Sequence, residues 1–428
     1  MSATKAQSYW LDTAPRFCRG VEDDWDERAD VVVIGGGLTG LSAALALSQR
    51  QARVVLLEAG RIIGMASGRN GGQCNNGPIQ DYLSLEKTWG AERARAFYFA
   101  YNAAVDTVER LVRAHAIACD FQRCGKLKLA AKPAHFDHLT KAAARLRAGV
   151  DPDIRLVPPD DLRREIGSDR FHGGLLQASS ARLHVGRFGV GLADAAAQAG
   201  ARIYEHAAVT GLARLADGSH EITAARGRIK AKQVLLATGG AGPGPFGWFR
   251  RRIVPVGSFI IVTQPLEPAL LDRLLPTRRN CVTSLNIGNY FCATPDNRLL
   301  FGGRARFSLS NPQADRKAYA ILRAALARIF PELADVGIDY CWGGQVDMTA
   351  DRLPRAGEHG GLFYSMGYSG HGVQMSVHMG QVMADVMAGR ADRNPWRGLS
   401  WPAIPGHYGK PWFLPLVGAY YRLKDIVQ

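Results

Sequence analysis

The chain of 428 residues has only seven cysteines, at positions 18, 74, 119, 124, 281, 292 and 341, and no two form a CxxC pair. That excludes a zinc-finger spacing and a disulfide framework, and it predicts reduced thiols in a cytoplasmic setting. No stretch approaches the roughly 20 apolar residues that cross a bilayer, so no membrane span is expected. Residues 1–30 carry eight charged side chains from Asp12 to Glu27 and no apolar core, so no signal peptide is expected there. Runs of five like charges are absent, and basic and aromatic residues do not interleave as a single-strand platform requires. The net charge of +15 therefore reads as arginine scattered over a basic enzyme, with no nucleic-acid partner. A GxSxG elbow and a recognisable hydrolase triad are also missing.

Glycine is what the chain has in excess. Residues 35–77, 239–247 and 343–372 hold 23 of its 48 glycines, and such clusters mark backbone that approaches something closely. A hydrophobic content of 47% is enough to bury a core around that binding site. Asp30–Ile34 is an apolar, β-branched run that predicts a buried parallel strand, Leu41–Arg50 predicts a helix, and Ala52–Glu58 predicts a second strand. Between the first strand and the helix lies Gly35-x-Gly37-x-x-Gly40, the dinucleotide fingerprint in the context that gives it meaning. Gly35 permits the turn, Gly37 admits a pyrophosphate close to the backbone, and Gly40 lets the helix pack on the sheet. The phosphate then meets the helix N-terminus at Leu38 and Thr39, where free amides and the dipole favour an anion. Glu58, ending the second strand, can accept hydrogen bonds from a ribose and would repel a 2′-phosphate, which argues against NADP.

Two more loops follow apolar strands: Ser67–Gln73 after the second strand, and Ala237–Gly240 after Gln233–Ala237. A second complete fingerprint does not occur, because Pro245 stands where its last glycine belongs, so no separate nicotinamide site is expected. Phe188–Ala199 predicts a helix and Ala201–Glu205 a strand. Val209–Leu215, His220–Ala225 and Gly227–Lys230 predict a short antiparallel set, with Gln233–Ala237 a separate strand. Helices over Ala91–His115, Ala134–Ala148 and Asp315–Phe330, with strands such as Gly257–Thr263 and Arg298–Phe301, predict a second domain woven into the first. Ser369-Gly-His-Gly372 precedes a predicted helix, Val373–Met387, and offers another glycine-rich helix N-terminus.

Taken together, Gly35–Gly40, Glu58, Ser67–Gln73, Ala237–Gly240 and Tyr368–Gly372 resemble the D-amino-acid oxidase superfamily of FAD-dependent oxidoreductases, in the group of sarcosine, glycine and polyamine-catabolism oxidases. Asp296–Gly303, Ile338–Trp342 and Gly418–Tyr421 carry the likeness over nearly the whole chain. The resemblance implies an α/β fold: a Rossmann-type FAD-binding domain with an interleaved α+β substrate domain, a mixed antiparallel sheet flanked by helices. The expected division gives 1–85, 155–243 and 343–395 to the FAD-binding part, 86–154 and 244–342 to the substrate part, and 396–428 to a wrapping tail. The cofactor residues it implies, besides Gly35, Gly37, Leu38, Thr39, Gly40 and Glu58, are Ala59, Arg61, Ala66, Ser67, Gly68, Arg69, Asn70, Gly71, Gly72, Val209, Thr238, Gly239, Gly240, Gly367, Gly370, His371, Gly372, Val373 and Gln374.

The activity it implies is oxidation of a neutral amine, γ-glutamylputrescine or a related polyamine- or amino-acid-derived amine. Hydride passes to flavin N5, the imine hydrolyses to an aldehyde or ketone, and molecular oxygen takes the electrons to give peroxide. The alternative is a dehydrogenase of a hydroxy acid, or of an imino or N-methyl amino acid, that passes electrons to quinone. His371 either helps the helix N-terminus stabilise the reduced flavin or caps its own helix. Tyr290 and Trp342 are candidate aromatic walls for an amine, or ordinary core. Arg69 could meet the cofactor or a substrate carboxylate. No metal is expected, because His371 and His378 lack carboxylate or thiolate neighbours. The cysteine that tethers flavin in some sarcosine oxidases maps near Gly344, and Cys341 does not match it, so FAD is expected to be non-covalent. Those enzymes hold the substrate carboxylate with a lysine where this chain has Gln374, which favours an amine whose carboxylate is distant or absent.

Overall fold

The structure, a computed structural model, describes residues 4–427 apart from 24, 240–243 and 304–306, so the expected cofactor residue Gly240 lies outside the described residues. The first apolar run extends over Trp25–Ile34 and stands inside an eight-stranded sheet. It pairs in parallel with Val54–Leu57 on one side and with Gly227–Leu236 on the other. Arg202–Tyr204 and Leu362–Met366 continue the parallel set outward. Such strands are covered on both faces, which is why Val, Ile and Leu fill them without alternation. Ile34, Leu57, Tyr204, Leu236 and Tyr364 fall in one register row at the carboxyl edge, where open parallel sheets take their ligands.

One sequence expectation is corrected here. Gly227–Lys230 and Gln233–Ala237 are not two strands but one, Gly227–Leu236. Its first half pairs antiparallel with His220–Ala224, and its last residues run parallel to Leu362–Tyr364. The lysines that interrupt the apolar run sit in ion pairs, Lys230 with Asp217 at 2.7 Å and Lys232 with Asp30 at 2.9 Å. The break in hydrophobicity marks a change of partner rather than a strand end.

All eleven residues of the helix Leu38–Ser48 are buried, so it has no polar face and runs through the core. The helix Gly372–Met387 crosses it at close range. A Cβ at Gly380 would lie 2.6 Å from the Thr39 carbonyl oxygen and 2.7 Å from Ser42 Cβ. Ser42 Oγ donates to the Val377 carbonyl at 2.7 Å, and Gln381 Nε2 donates to the Ser42 carbonyl at 2.9 Å.

A second eight-stranded sheet runs Ile338–Met348, Val254–Thr263, Leu299–Gly303, Asn289–Ala293, Asn280–Thr283, Lys126–Leu129, Gly174–Gln177, Arg155–Val157. Its neighbours are antiparallel except Asn280–Thr283 with Lys126–Leu129. Strand pairing thus puts Arg155–Val157 and Gly174–Gln177 in this sheet, although both lie in the stretch 155–243 expected to belong with the first one. One face packs Leu127, Leu129, Phe259, Ile261, Phe291 and Phe301 into an apolar cluster with Leu322 and Leu326 of the helix Pro312–Ile329. The opposite face looks toward the first sheet. The tail ends in a helix, Leu414–Val427, with Pro415 in its first turn. Asp425 of that helix accepts from the backbone amides of Asn286 and Ile287, both at 2.8 Å.

The helix crossing is tight enough to test. Gly380→Ala places a methyl group against the Thr39 carbonyl, and overpacking of this kind costs about 1–3 kcal/mol. A lower urea midpoint by circular dichroism is expected. An unchanged midpoint would mean that the helices part without cost.

Candidate cofactor and substrate site

The glycine turn forms as the spacing predicts. Gly35 has a φ of +112°, and Gly40 stacks on the Gly35 carbonyl so closely that no Cβ fits between. Leu38 N–H donates to Ser67 Oγ at 3.0 Å. The next two amides, of Thr39 and Gly40, have no helical carbonyl to meet. Glu58 closes the turn: its carboxylate accepts from Gly36 N–H at 2.7 Å and Gly60 N–H at 2.8 Å. The helix dipole and these amides make a place for a diphosphate, with Glu58 at the edge where a ribose would follow.

A second helix N-terminus faces the same space. His371 is the N-cap of Gly372–Met387, and its ring meets Tyr101 edge-on at 6.0 Å. The preceding turn is held by Ser369 N–H donating to the Asp347 carbonyl at 2.9 Å. Tyr368 ties the two helix starts together through its hydroxyl, 2.9 Å from Thr39 Oγ1 and 2.9 Å from Ser365 Oγ. Burial pushes that phenol up to about 12, so it stays protonated. Gln374 is fully buried and donates from Nε2 to the Asn75 carbonyl, while its Oε1 has no hydrogen-bond partner among the described residues.

These elements enclose one cavity of about 1520 Å³. That exceeds the roughly 300–1,000 Å³ of an ordinary small-molecule pocket and leaves room for a dinucleotide plus a substrate. Of the residues expected from the sequence, Gly35, Gly37, Leu38, Thr39, Glu58, Ala59, Arg61, Ala66, Ser67, Arg69, Asn70, Gly71, Val209, Thr238, Gly239, Gly370, His371, Gly372, Val373, Gln374 and Tyr290 line it.

Five do not. Gly40, Gly68, Gly72 and Gly367 are spent on close packing: against the Gly35 carbonyl, against the Ile63 carbonyl and Leu11, against Trp10, and against Thr349 Cγ2 respectively. Trp342 is fully buried, and its Nε1 donates to the Arg69 carbonyl at 3.0 Å, so it is core rather than an aromatic wall. Arg69 lines the cavity, but its guanidinium donates to the Gly64 carbonyl at 3.1 Å and the Gly343 carbonyl at 2.9 Å. His378 lies two turns beyond His371, with Nδ1 2.9 Å from Thr107 Oγ1, and burial pushes its imidazole down to about 4. No cysteine is on the wall, and Gly344 is. All seven cysteines are unpaired. Among the described residues no cluster could hold a metal, and no helix is long and apolar enough to cross a membrane.

The far wall is the second sheet. Tyr290 stands in one register row with Val282 and Lys128 on one side and Gly302, Ile260 and Trp342 on the other. Its ring lies over Gly302 and against Gly71, where a Cβ would be 2.7 Å from Tyr290 Cε2. Sequence reasoning missed Lys126 and Lys128, which also line the cavity. The signal was present in Lys126-Leu-Lys-Leu129, an alternation whose lysines would ordinarily be given to solvent. Lys126 is buried, and its ammonium donates to the Asn76 carbonyl at 2.8 Å. Desolvation, aided by Lys128, pushes it down to about 7. Lys128 is lowered for the same first reason, burial.

The sequence profile of the FAD dependent oxidoreductase family, DAO, matches residues 30–386. Gamma-glutamylputrescine oxidoreductase of Escherichia coli (strain K12) is 33% identical over 404 residues, covering 92% of each chain. Glycine oxidase of Geobacillus kaustophilus is 25% identical over 370 residues, 84% of this chain and 93% of that one. The crystal structure of glycine oxidase from Geobacillus kaustophilus shares the fold with a TM-score of 0.69 at 22% identity, over 88% of this chain and all of the other. L-amino acid deaminase from Proteus vulgaris gives a TM-score of 0.72 at 19% identity, over 89% and 99%.

The depressed lysine has a measurable consequence. Between about 7 and 10.5 the unfolded chain holds more protons on Lys126 than the folded one, so its contribution is least favourable below pH 7 and improves as pH rises through that window. Lys126→Met is therefore expected to exceed the wild type in stability most at about pH 6.5, by up to a few kcal/mol at ~1.36 kcal/mol per unit, and the gap should close toward about pH 10. Urea unfolding of both proteins across that range measures it. A gap that stays constant with pH would mean that Lys126 titrates normally.

Proposed function

Because the chain belongs to the DAO family of FAD-dependent oxidoreductases, we propose that it oxidises an amine of the γ-glutamylputrescine kind, with molecular oxygen as the acceptor. The observation that carries this reading is the convergence of two helix N-termini and Glu58 on one large cavity, across from a sheet that offers Tyr290. When bound, FAD supplies the hydride acceptor for carbon–hydrogen cleavage beside the amine nitrogen.

The residues fit that group. Gly35, Gly37, Leu38 and Thr39 would hold the diphosphate, and Glu58 the ribose, with Ala59, Arg61 and Val209 around the adenosine. Thr238, Gly239, Ala66, Ser67, Arg69, Asn70 and Gly71 would line the middle and the ring. Gly370, His371, Gly372, Val373 and Gln374 would face its pyrimidine end. The positive end of the helix dipole favours negative charge on whatever lies against it, and this stabilises the reduced state. Tyr290 would form the wall that packs the alkyl chain of the amine. No residue here needs to act as a nucleophile; the chain positions the substrate and excludes water.

The absence of a wall cysteine supports non-covalent FAD. The seven unpaired thiols, six of them buried, support a reducing, cytoplasmic setting. Gln374 beside the helix start, where carboxylate-binding relatives are expected to carry lysine, supports an amine without a carboxylate next to the reacting carbon.

Anaerobic mixing with γ-glutamylputrescine, putrescine, pipecolate, sarcosine and a 2-hydroxy acid, followed at the flavin absorbance, tests the donor. γ-Glutamylputrescine and putrescine should bleach the flavin faster than pipecolate and sarcosine, and yield peroxide when air is admitted. Bleaching by the hydroxy acid alone would overturn the reading, and bleaching by amines with no peroxide would overturn oxygen as acceptor. Glu58→Ala removes a charged acceptor worth about 1.5–3 kcal/mol, so FAD affinity should fall by about tenfold or more. Acid precipitation of the holoprotein should leave all the flavin in the supernatant; a yellow pellet would contradict non-covalent binding.

A further inference from the structure

Strand geometry puts Lys126 and Lys128 on one face of Lys126–Leu129, while Leu127 and Leu129 enter the apolar cluster behind it. Both lysine side chains line the cavity, Lys126 buried and Lys128 half-buried. Lys128 lies two strands from Tyr290 in the same register row, which at ~4.8 Å per strand separates their backbones by roughly 10 Å.

Neither lysine is neutralised by an ion pair. Lys126 meets only the Asn76 carbonyl, and Lys128 makes no hydrogen bond or ion pair among the described residues. The carboxylates nearby are committed elsewhere. Asp81 accepts from Ser84 N–H at 3.1 Å and Ser84 Oγ at 3.2 Å, and its other oxygen lies 3.1 Å from His138 Nε2. Asp151 accepts from Tyr98 O–H at 2.7 Å and lies 3.5 Å from Asn76 Nδ2. Burying a cation without its own counter-ion is costly, and a site that does so is waiting for an anion from outside. The dinucleotide would not supply it, since its diphosphate would be held by the amides of the glycine turn at the carboxyl edge of the first sheet.

We propose that Lys128, backed by Lys126, binds a carboxylate at the end of the substrate remote from the nitrogen that is oxidised. This rests on the amine reading above and narrows it: the substrate is an amine whose chain spans the row from Tyr290 to Lys128 and ends in a carboxylate. The charge that would hold the carboxylate thus lies on the second sheet rather than at the position of Gln374. Lowering of both lysines by burial agrees with this, because a carboxylate on either would draw its proton affinity back up.

Glutarate, a dicarboxylate with no nitrogen to oxidise, is the probe. Titrated calorimetrically into the FAD-loaded protein, it should bind the wild type. In Lys128→Met its Kd should rise by about tenfold or more, as for loss of a charge-assisted hydrogen bond, and Lys128→Arg should keep most of the affinity. In turnover, Lys128→Met should raise KM for γ-glutamylputrescine and leave KM for putrescine, which has no carboxylate, where it was. No glutarate binding to the wild type, or equal binding to Lys128→Met, overturns the site. Should no amine reduce the flavin while glutarate still requires Lys128, the carboxylate site stands and the amine reading falls.

Discussion

The close crossing of Leu38–Ser48 by Gly372–Met387 is the constraint on which the site depends. A helix N-terminus favours an anion only within its first turn, so two of them serve one cofactor only when their starts are brought side by side. Gly380 allows this by letting its backbone rest on the Thr39 carbonyl, and Ser42 and Gln381 fix the contact with hydrogen bonds. Tyr368, in the turn before the second helix, then ties that turn to Thr39 Oγ1 in the first turn of the other helix. The glycine turn and the histidine turn lie more than three hundred residues apart in sequence. Their proximity comes from a helix that has no polar face and so has nowhere to go but the core.

The second sheet answers a different demand. One of its faces is apolar and buried on Pro312–Ile329, as any sheet face must be to hold its position. The other is a working surface whose cost is visible in Lys126 and Lys128. Lys126 is partly compensated by a buried polar network: Asn76 links its carbonyl to that ammonium and its side chain to Ser180 at 2.7 Å and Asn102 at 3.1 Å. Such a network fixes the position of the charge without cancelling it. That separates a structural ion pair from a site that still has charge to offer.

The legible part of this molecule was the part whose geometry is local. Gly35–Gly40, the helix after it and Glu58 could be read because strand, turn and helix occur within thirty residues and each glycine has its own steric reason. Long helices such as Ala91–Ala114 were legible for the same cause, a repeated apolar spacing. What escaped was set by contacts across the chain. Gly68, Gly72 and Gly367 belong to the right loops yet face inward, because Leu11, Trp10 and Thr349 arrive from distant segments. Trp342 shares a sheet face with Tyr290, but the Arg69 loop covers it and takes its N–H. Gly227–Leu236 looked like two strands because its partners change midway, which is a property of the sheet and not of the segment.

The alternation Lys126-Leu-Lys-Leu129 illustrates the limit most sharply. Period-two patterning says which residues share a face and is silent on what that face meets. Met by water, the lysines are a solubility device. Met by a cavity already walled by Tyr290 and Val282, the same pattern becomes recognition. The choice between them was made by the order of the second sheet, in which Lys126–Leu129 lies next to Asn280–Thr283 and so beside the strand that carries Tyr290. A substrate lying along that row would have its reacting carbon and its charge at opposite ends. Its length, rather than the chemistry of either end alone, would then decide what fits, because the distance from Tyr290 to Lys128 is set by strands that cannot slip by one residue without turning the lysines into the apolar cluster.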